Sequence, residues 1–61
     1  MTKSEQREIV KIAYMHSVGM TDTVARSLSA LIRAARTSRS RAALTEYAAV
    51  FNVSSHPEFV I

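Results

Sequence analysis

TDTVARSLSALIRAAR, residues 21–36, is the stretch on which the fold turns. Its apolar residues fall at Val24, Ala25, Leu28, Leu31, Ile32 and Ala35, with gaps of 1, 3, 3, 1 and 3. An α-helix turns once every ~3.6 residues, so this spacing gathers them into one stripe. Arg26, Ser29, Arg33 and Arg36 fall on the opposite side. The stretch therefore predicts a helix with an apolar face and an arginine face back to back. Thr21 is its expected cap, and Asp22 suits the positive end of the helix dipole.

Upstream, Thr2-Lys3-Ser4-Glu5 has the spacing of a capping box and predicts a helix from about Lys3 to Ser17. Ile9, Ile12, Ala13 and His16 share one face, which Val10 and Tyr14 widen. Gly19, the only glycine, stands just past that run, where a left-handed residue commonly closes a helix.

Downstream, Thr37-Ser38-Arg39-Ser40 contains no Gly or Pro, so phase must decide whether the helix continues. At about 100° per residue, the stripe of Leu28, Leu31 and Ala35 points roughly 150° away from that of Leu44, Tyr47, Ala48 and Phe51. One straight rod would aim the two faces apart. A break near Ser38 to Ser40, with either serine as cap, turns both toward one core. The third helix then carries Ala43, Leu44, Tyr47, Ala48, Val50 and Phe51 on its apolar side, and Asn52 can end it. Ser54 to Pro57 reads as a turn. The apolar Phe59-Val60-Ile61 that follows must either dock on the core or meet a partner. The expectation is an all-α fold: one domain, residues 1–61, of three helices at about 3–17, 21–36 and 40–52, with a short apolar C-terminal tail.

Composition narrows the function. The chain has 61 residues and no cysteine, so it has no disulfide or thiolate metal site to reinforce a small core. No apolar run reaches the ~18 residues needed to cross a membrane, and the N-terminus lacks the apolar core of a signal peptide. A cytoplasmic location without membrane association is expected. His16 and His56 are forty residues apart, the acids are scattered, and a single glycine cannot build a phosphate loop. No nucleophile stands with a base, and no set of metal ligands has a recognisable spacing. The expectation is a non-catalytic protein with no cofactor and no metal.

Charge is more informative by place than by total. The net charge is +3. Yet from Thr23 to Thr45 there are five arginines, Arg26, Arg33, Arg36, Arg39 and Arg41, and no acid. Arginine presents a planar fork suited to phosphate and carboxylate.

The residues around Gly19 resemble a helix-turn-helix. Val18 and Met20 flank the glycine, while Val24 or Ala25 and then Leu28 supply the positions that lock the second helix onto the first. The resemblance covers roughly Ile12 to Ser29. It departs from the family pattern at Met15, where a small residue is usual, in the length of the second helix, and at Asp22, which would repel phosphate. It implies duplex DNA as the partner, with Thr21, Thr23, Arg26 and Ser27 approaching the groove and Arg33, Arg36 and Arg39 the phosphates. The alternative is a protein-binding inhibitor or modulator, of the small kind that bacteriophages and mobile elements encode. It would act through surplus apolar surface: Val10, Tyr14, Phe51, Phe59, Val60 and Ile61. The same surplus predicts association with a second copy as a homodimer.

Overall fold

Three helices form where the periodicity places them. In the computed structural model, which describes residues 1–61, α1 spans Lys3–Ser17, α2 spans Thr21–Ala34 and α3 spans Ser38–Val50, with no strand. α2 is the middle element: α1 and α3 each pack against it, and their backbones do not approach one another. The core is built on it. Val24, Ala25, Leu28 and Ile32 of α2 meet Ile9 and Ile12 of α1 and Leu44 and Ala48 of α3, with Ala35, Phe51 and Val53 closing the ends. Burying each large aliphatic side chain contributes about 1.5–3 kcal/mol toward offsetting the entropy lost in ordering the chain. His16 leans its ring on Phe51 with centroids 5.1 Å apart, linking the far ends of α1 and α3.

The two αL closures are the same motif with different residues. Gly19 has φ +83°. Its N–H donates to the His16 carbonyl at 3.1 Å, and Met20 N–H reaches the Met15 carbonyl at 3.0 Å. Asn52 has φ +59°. Its N–H donates to the Ala49 carbonyl at 3.1 Å, and Val53 N–H reaches the Ala48 carbonyl at 2.8 Å. Both pairs are Schellman closures, in which two otherwise orphaned carbonyls at a helix end are satisfied.

The starts of the helices differ from expectation in two of three cases. The capping box of α1 forms as read: Glu5 N–H donates to Thr2 Oγ1, and Thr2 N–H to Glu5 Oε1. The Thr2 backbone N–H, with smaller help from the Thr2 and Ser40 hydroxyls and the N-terminal charge, holds the Glu5 carboxyl below its ordinary range, against a contrary effect of desolvation. Thr21 is not the cap of α2. Met20 is, without any side-chain bond, because the Schellman closure delivers Met20 straight into the next helix, and its carbonyl already accepts from Val24 N–H at 2.9 Å. Neither Ser38 nor Ser40 caps α3. Thr37 does, in an extended conformation, accepting from Ser40 N–H at 3.1 Å. Such a cap typically contributes ~1 kcal/mol.

The break lies slightly earlier than expected. α2 stops at Ala34 rather than 36, and α3 runs 38–50 rather than 40–52. Ala35 turns extended at ψ 131°, and its freed carbonyl is taken by the Arg41 guanidinium at 3.1 Å. Two expected core positions lie outside: Val50 is 68% exposed and Ala13 faces solvent. The wide apolar sides read for α1 and α3 are therefore only partly used by the core. Ser29, read as part of the arginine face, is buried.

The tail docks. After Val53 the chain makes two successive turns, His56 N–H to the Val53 carbonyl and Phe59 N–H to the His56 carbonyl. It then runs along α2. The radius of gyration, 10.3 Å, is close to the ~10.5 Å of a fully folded chain of this length, as expected for a tail lying on the body.

Candidate nucleic-acid interface

Arg26 and Arg33 are two turns apart on α2 and point the same way, since seven residues nearly close two helical turns. Both are exposed at the surface. Neither is free. The Arg26 guanidinium donates through Nε to Glu58 Oε2 at 3.0 Å. Arg33 donates to the Val60 carbonyl. Between them Ser29 Oγ donates to the Ala25 carbonyl at 2.6 Å and accepts the Val60 N–H at 2.9 Å. One turn toward the start of α2, Asp22 meets His56 Nε2 at 2.9 Å, while Nδ1 of the same ring accepts the Glu58 N–H at 3.0 Å. With Nδ1 an acceptor, the ring proton lies on Nε2 and points at Asp22.

The segment from Val53 to Ile61 is thus laced to one row of α2, Asp22–Arg26–Ser29–Arg33, by polar contacts. An ion pair as exposed as Arg26–Glu58 contributes little, ~0–1 kcal/mol. Among the apolar residues beyond Val53, Phe59 leans on the core while Val60 and Ile61 are 59% and 62% exposed. The Asp22 carboxylate that sequence reading set against phosphate is engaged by a histidine.

The other residues expected at a DNA surface are dispersed around that row. Thr21 is exposed, and Thr23 and Ser27 are half-buried on the flank of α2 away from the tail. Arg36 and Arg39 lie exposed at the α2–α3 corner. Arg36 borders a shallow recess of hydroxyls formed by Thr2, Ser4, Thr37 and Ser40, with Glu5 inside it. The structure brings together Arg26 and Arg33 and leaves Arg36 and Arg39 as a separate pair.

The residues expected at a protein interface divide similarly. Phe51 is buried at 7% and belongs to the core, not to any free surface, and Phe59 is half-covered. Val10 and Tyr14 are 69% and 67% exposed. They lie on the side of α1 opposite Ile9 and Ile12, with Lys3, Arg7 and Lys11 as the charged groups beside them. Lys11 is paired with Glu8 at 3.2 Å.

No group of three His, Asp or Glu side chains converges, and no buried side-chain polar atom lacks a partner. No helix is long and apolar enough to cross a membrane. Sequence reading missed Ser29 and Glu58 as partners of the arginine row. The available signal was Glu58, the only acid after Glu46, followed at once by apolar residues in need of a surface. No protein-family model, curated protein or solved structure matches this chain.

Proposed function

We propose that this chain is a non-catalytic regulatory protein that binds duplex DNA through the arginine row of α2 and the α2–α3 corner. The observation that carries the reading is the junction between α1 and α2. A three-residue connection closed by a left-handed Gly19 joins two packed helices, and the second turns Arg26 and Arg33 outward. Arg36 and Arg39 extend the positive surface beyond the end of α2, and the chain from Thr23 to Thr45 carries no acid of its own. Binding of this kind releases counterions, so log K should fall linearly with log salt, by ~0.9 per phosphate contacted. Titrating duplex at ~50 mM salt and upward tests it. Replacing Arg33 and Arg36 with alanine should flatten the slope by one to two contacts' worth, roughly 0.9–1.8. No binding at ~50 mM salt sinks the reading.

A second reading is favoured by the outward side of α1. Val10 and Tyr14 are one turn apart and mostly exposed, and the charged residues flanking them at Lys3, Arg7 and Lys11 are all basic. That pattern suits a groove with an acidic rim on a partner protein, entered by a helix through anchors at i and i+4. Like charge on both sides disfavours the same face on a second copy. Val10→Ser with Tyr14→Ser should abolish association with such a partner and leave duplex binding untouched. A complex indifferent to both changes would remove this face from consideration.

A further inference from the structure

We infer that the segment Val53–Ile61 is a strap that competes with duplex phosphate for the arginine row of α2. The inference rests on the DNA reading above and adds its regulation. Four features meet on one row. Glu58 gives Arg26 a carboxylate at 3.0 Å. The Val60 carbonyl gives Arg33 an acceptor. Ser29, buried beneath, takes the Val60 N–H at 2.9 Å and so fixes the strap's register on the helix. His56 occupies Asp22 at 2.9 Å. The strap thus presents to two guanidinium groups what a nucleic-acid backbone presents: an anionic oxygen and a second oxygen further along the chain.

The strap is built to leave. The bonds that tie it to the row are hydrogen bonds and ion pairs, and its Arg26–Glu58 pair is solvent-exposed, with side-chain exposures of 66% and 44%. Phe59 is its one apolar anchor on the core, while Val60 and Ile61 beyond it are mostly in water. Val53 itself is fully buried and Asn52 closes α3, so the strap has a fixed root and a releasable end. A closed strap lowers apparent affinity by the fraction of molecules in which the row is open. Glu58 and the Val60 carbonyl sit on the same two guanidinium groups that a duplex backbone lying along the row would use, so phosphate competes with them for those donors.

The experiment compares three full-length proteins: the unaltered chain, Glu58→Ala, and Glu46→Ala. Glu46 is an exposed acid on α3, so its replacement changes net charge equally without touching the strap. Each is titrated with one short duplex over a range of salt. Amide exchange at Val60 is followed with and without the duplex. The strap predicts tighter binding for Glu58→Ala than for Glu46→Ala, by up to about fivefold, the most that losing one exposed ion pair can open it. It also predicts faster exchange at Val60 when duplex is added to the unaltered chain. If the two variants bind alike and Val60 stays protected in the complex, the strap is not a competitor, and DNA binding stands without it. If none of the three proteins binds duplex at ~50 mM salt, the DNA reading itself fails and the strap proposal with it.

Discussion

Leu28→Ala should leave the chain largely unfolded at 25 °C. Leu28 is fully buried in the middle of α2, the helix against which both others pack. Truncating a buried leucine to alanine costs ~2–5 kcal/mol, the transfer of the lost atoms plus the cavity they leave. An unreinforced core of this size supplies ~3–5 kcal/mol in total. The cost is therefore comparable to the whole stability. Far-ultraviolet circular dichroism should lose most of its helical signal, while Leu31→Ala, at a half-buried position on the same helix, should still unfold cooperatively. A Leu28→Ala protein that melts at the unaltered temperature would mean that α2 is not the central wall of this domain.

Gly19→Val should be the next most damaging change, and for a different reason. A β-carbon at Gly19 would meet nothing within 4 Å, so there is no steric clash with neighbours to relieve. The penalty is in the backbone: φ +83° is a conformation that costs an L-residue ~1–2 kcal/mol, and a β-branched one tolerates it worst. In a domain of 60–100 residues each kcal/mol lowers Tm by roughly 4–8 °C. Asn52→Gly, at the matching position of the second closure, should be neutral or mildly stabilising in the same thermal melt, since it only relaxes a strain already tolerated. Equal losses at both sites would show that the αL closure is not what limits them.

These two sites mark what could be read from the sequence alone. The helices were legible because burial imposes a period, and Val24, Leu28 and Ile32 repeat at that period without interruption. A break between the second and third helices was legible because two stripes ~150° out of phase cannot share a straight axis and one core, though it falls after Ala34 rather than near Ser38 to Ser40. Gly19 and Asn52 were legible because few residue types accept a left-handed backbone. The caps were less so. Thr37, Ser38 and Ser40 all carry a hydroxyl able to accept a backbone N–H, and which of them lies extended depends on how α3 packs, not on its own chemistry. Thr21 had the right side chain but stands one residue late, because the closure at Gly19 hands the helix start to Met20.

The strap was not legible, and the reason is physical. Its bonds join residues 27 to 34 apart in sequence, and none of them follows a periodic pattern. Ser29 looks like any hydroxyl on a polar helix face until a chain is laid across it. The arginine row was correctly assigned to the outside of α2, but that the same chain supplies its first occupant is a fact of tertiary structure. Phe51 shows the converse. Its apolar bulk was read as available surface, whereas the stack of Tyr47 on it at 5.7 Å and of His16 at 5.1 Å helps to hold it in the core.

That the backbones of α1 and α3 each meet α2 but not one another also sets an order of assembly. Each helix finds its main packing partner in its neighbour along the chain, across a connection of a few residues, so the entropy lost in closing each loop is small and the bundle should form early and fast. The last nine residues must reach back some thirty positions to find their place, and polar bonds do most of the holding. They should arrive last, on a body already formed, and should be the first to come away as temperature or denaturant rises.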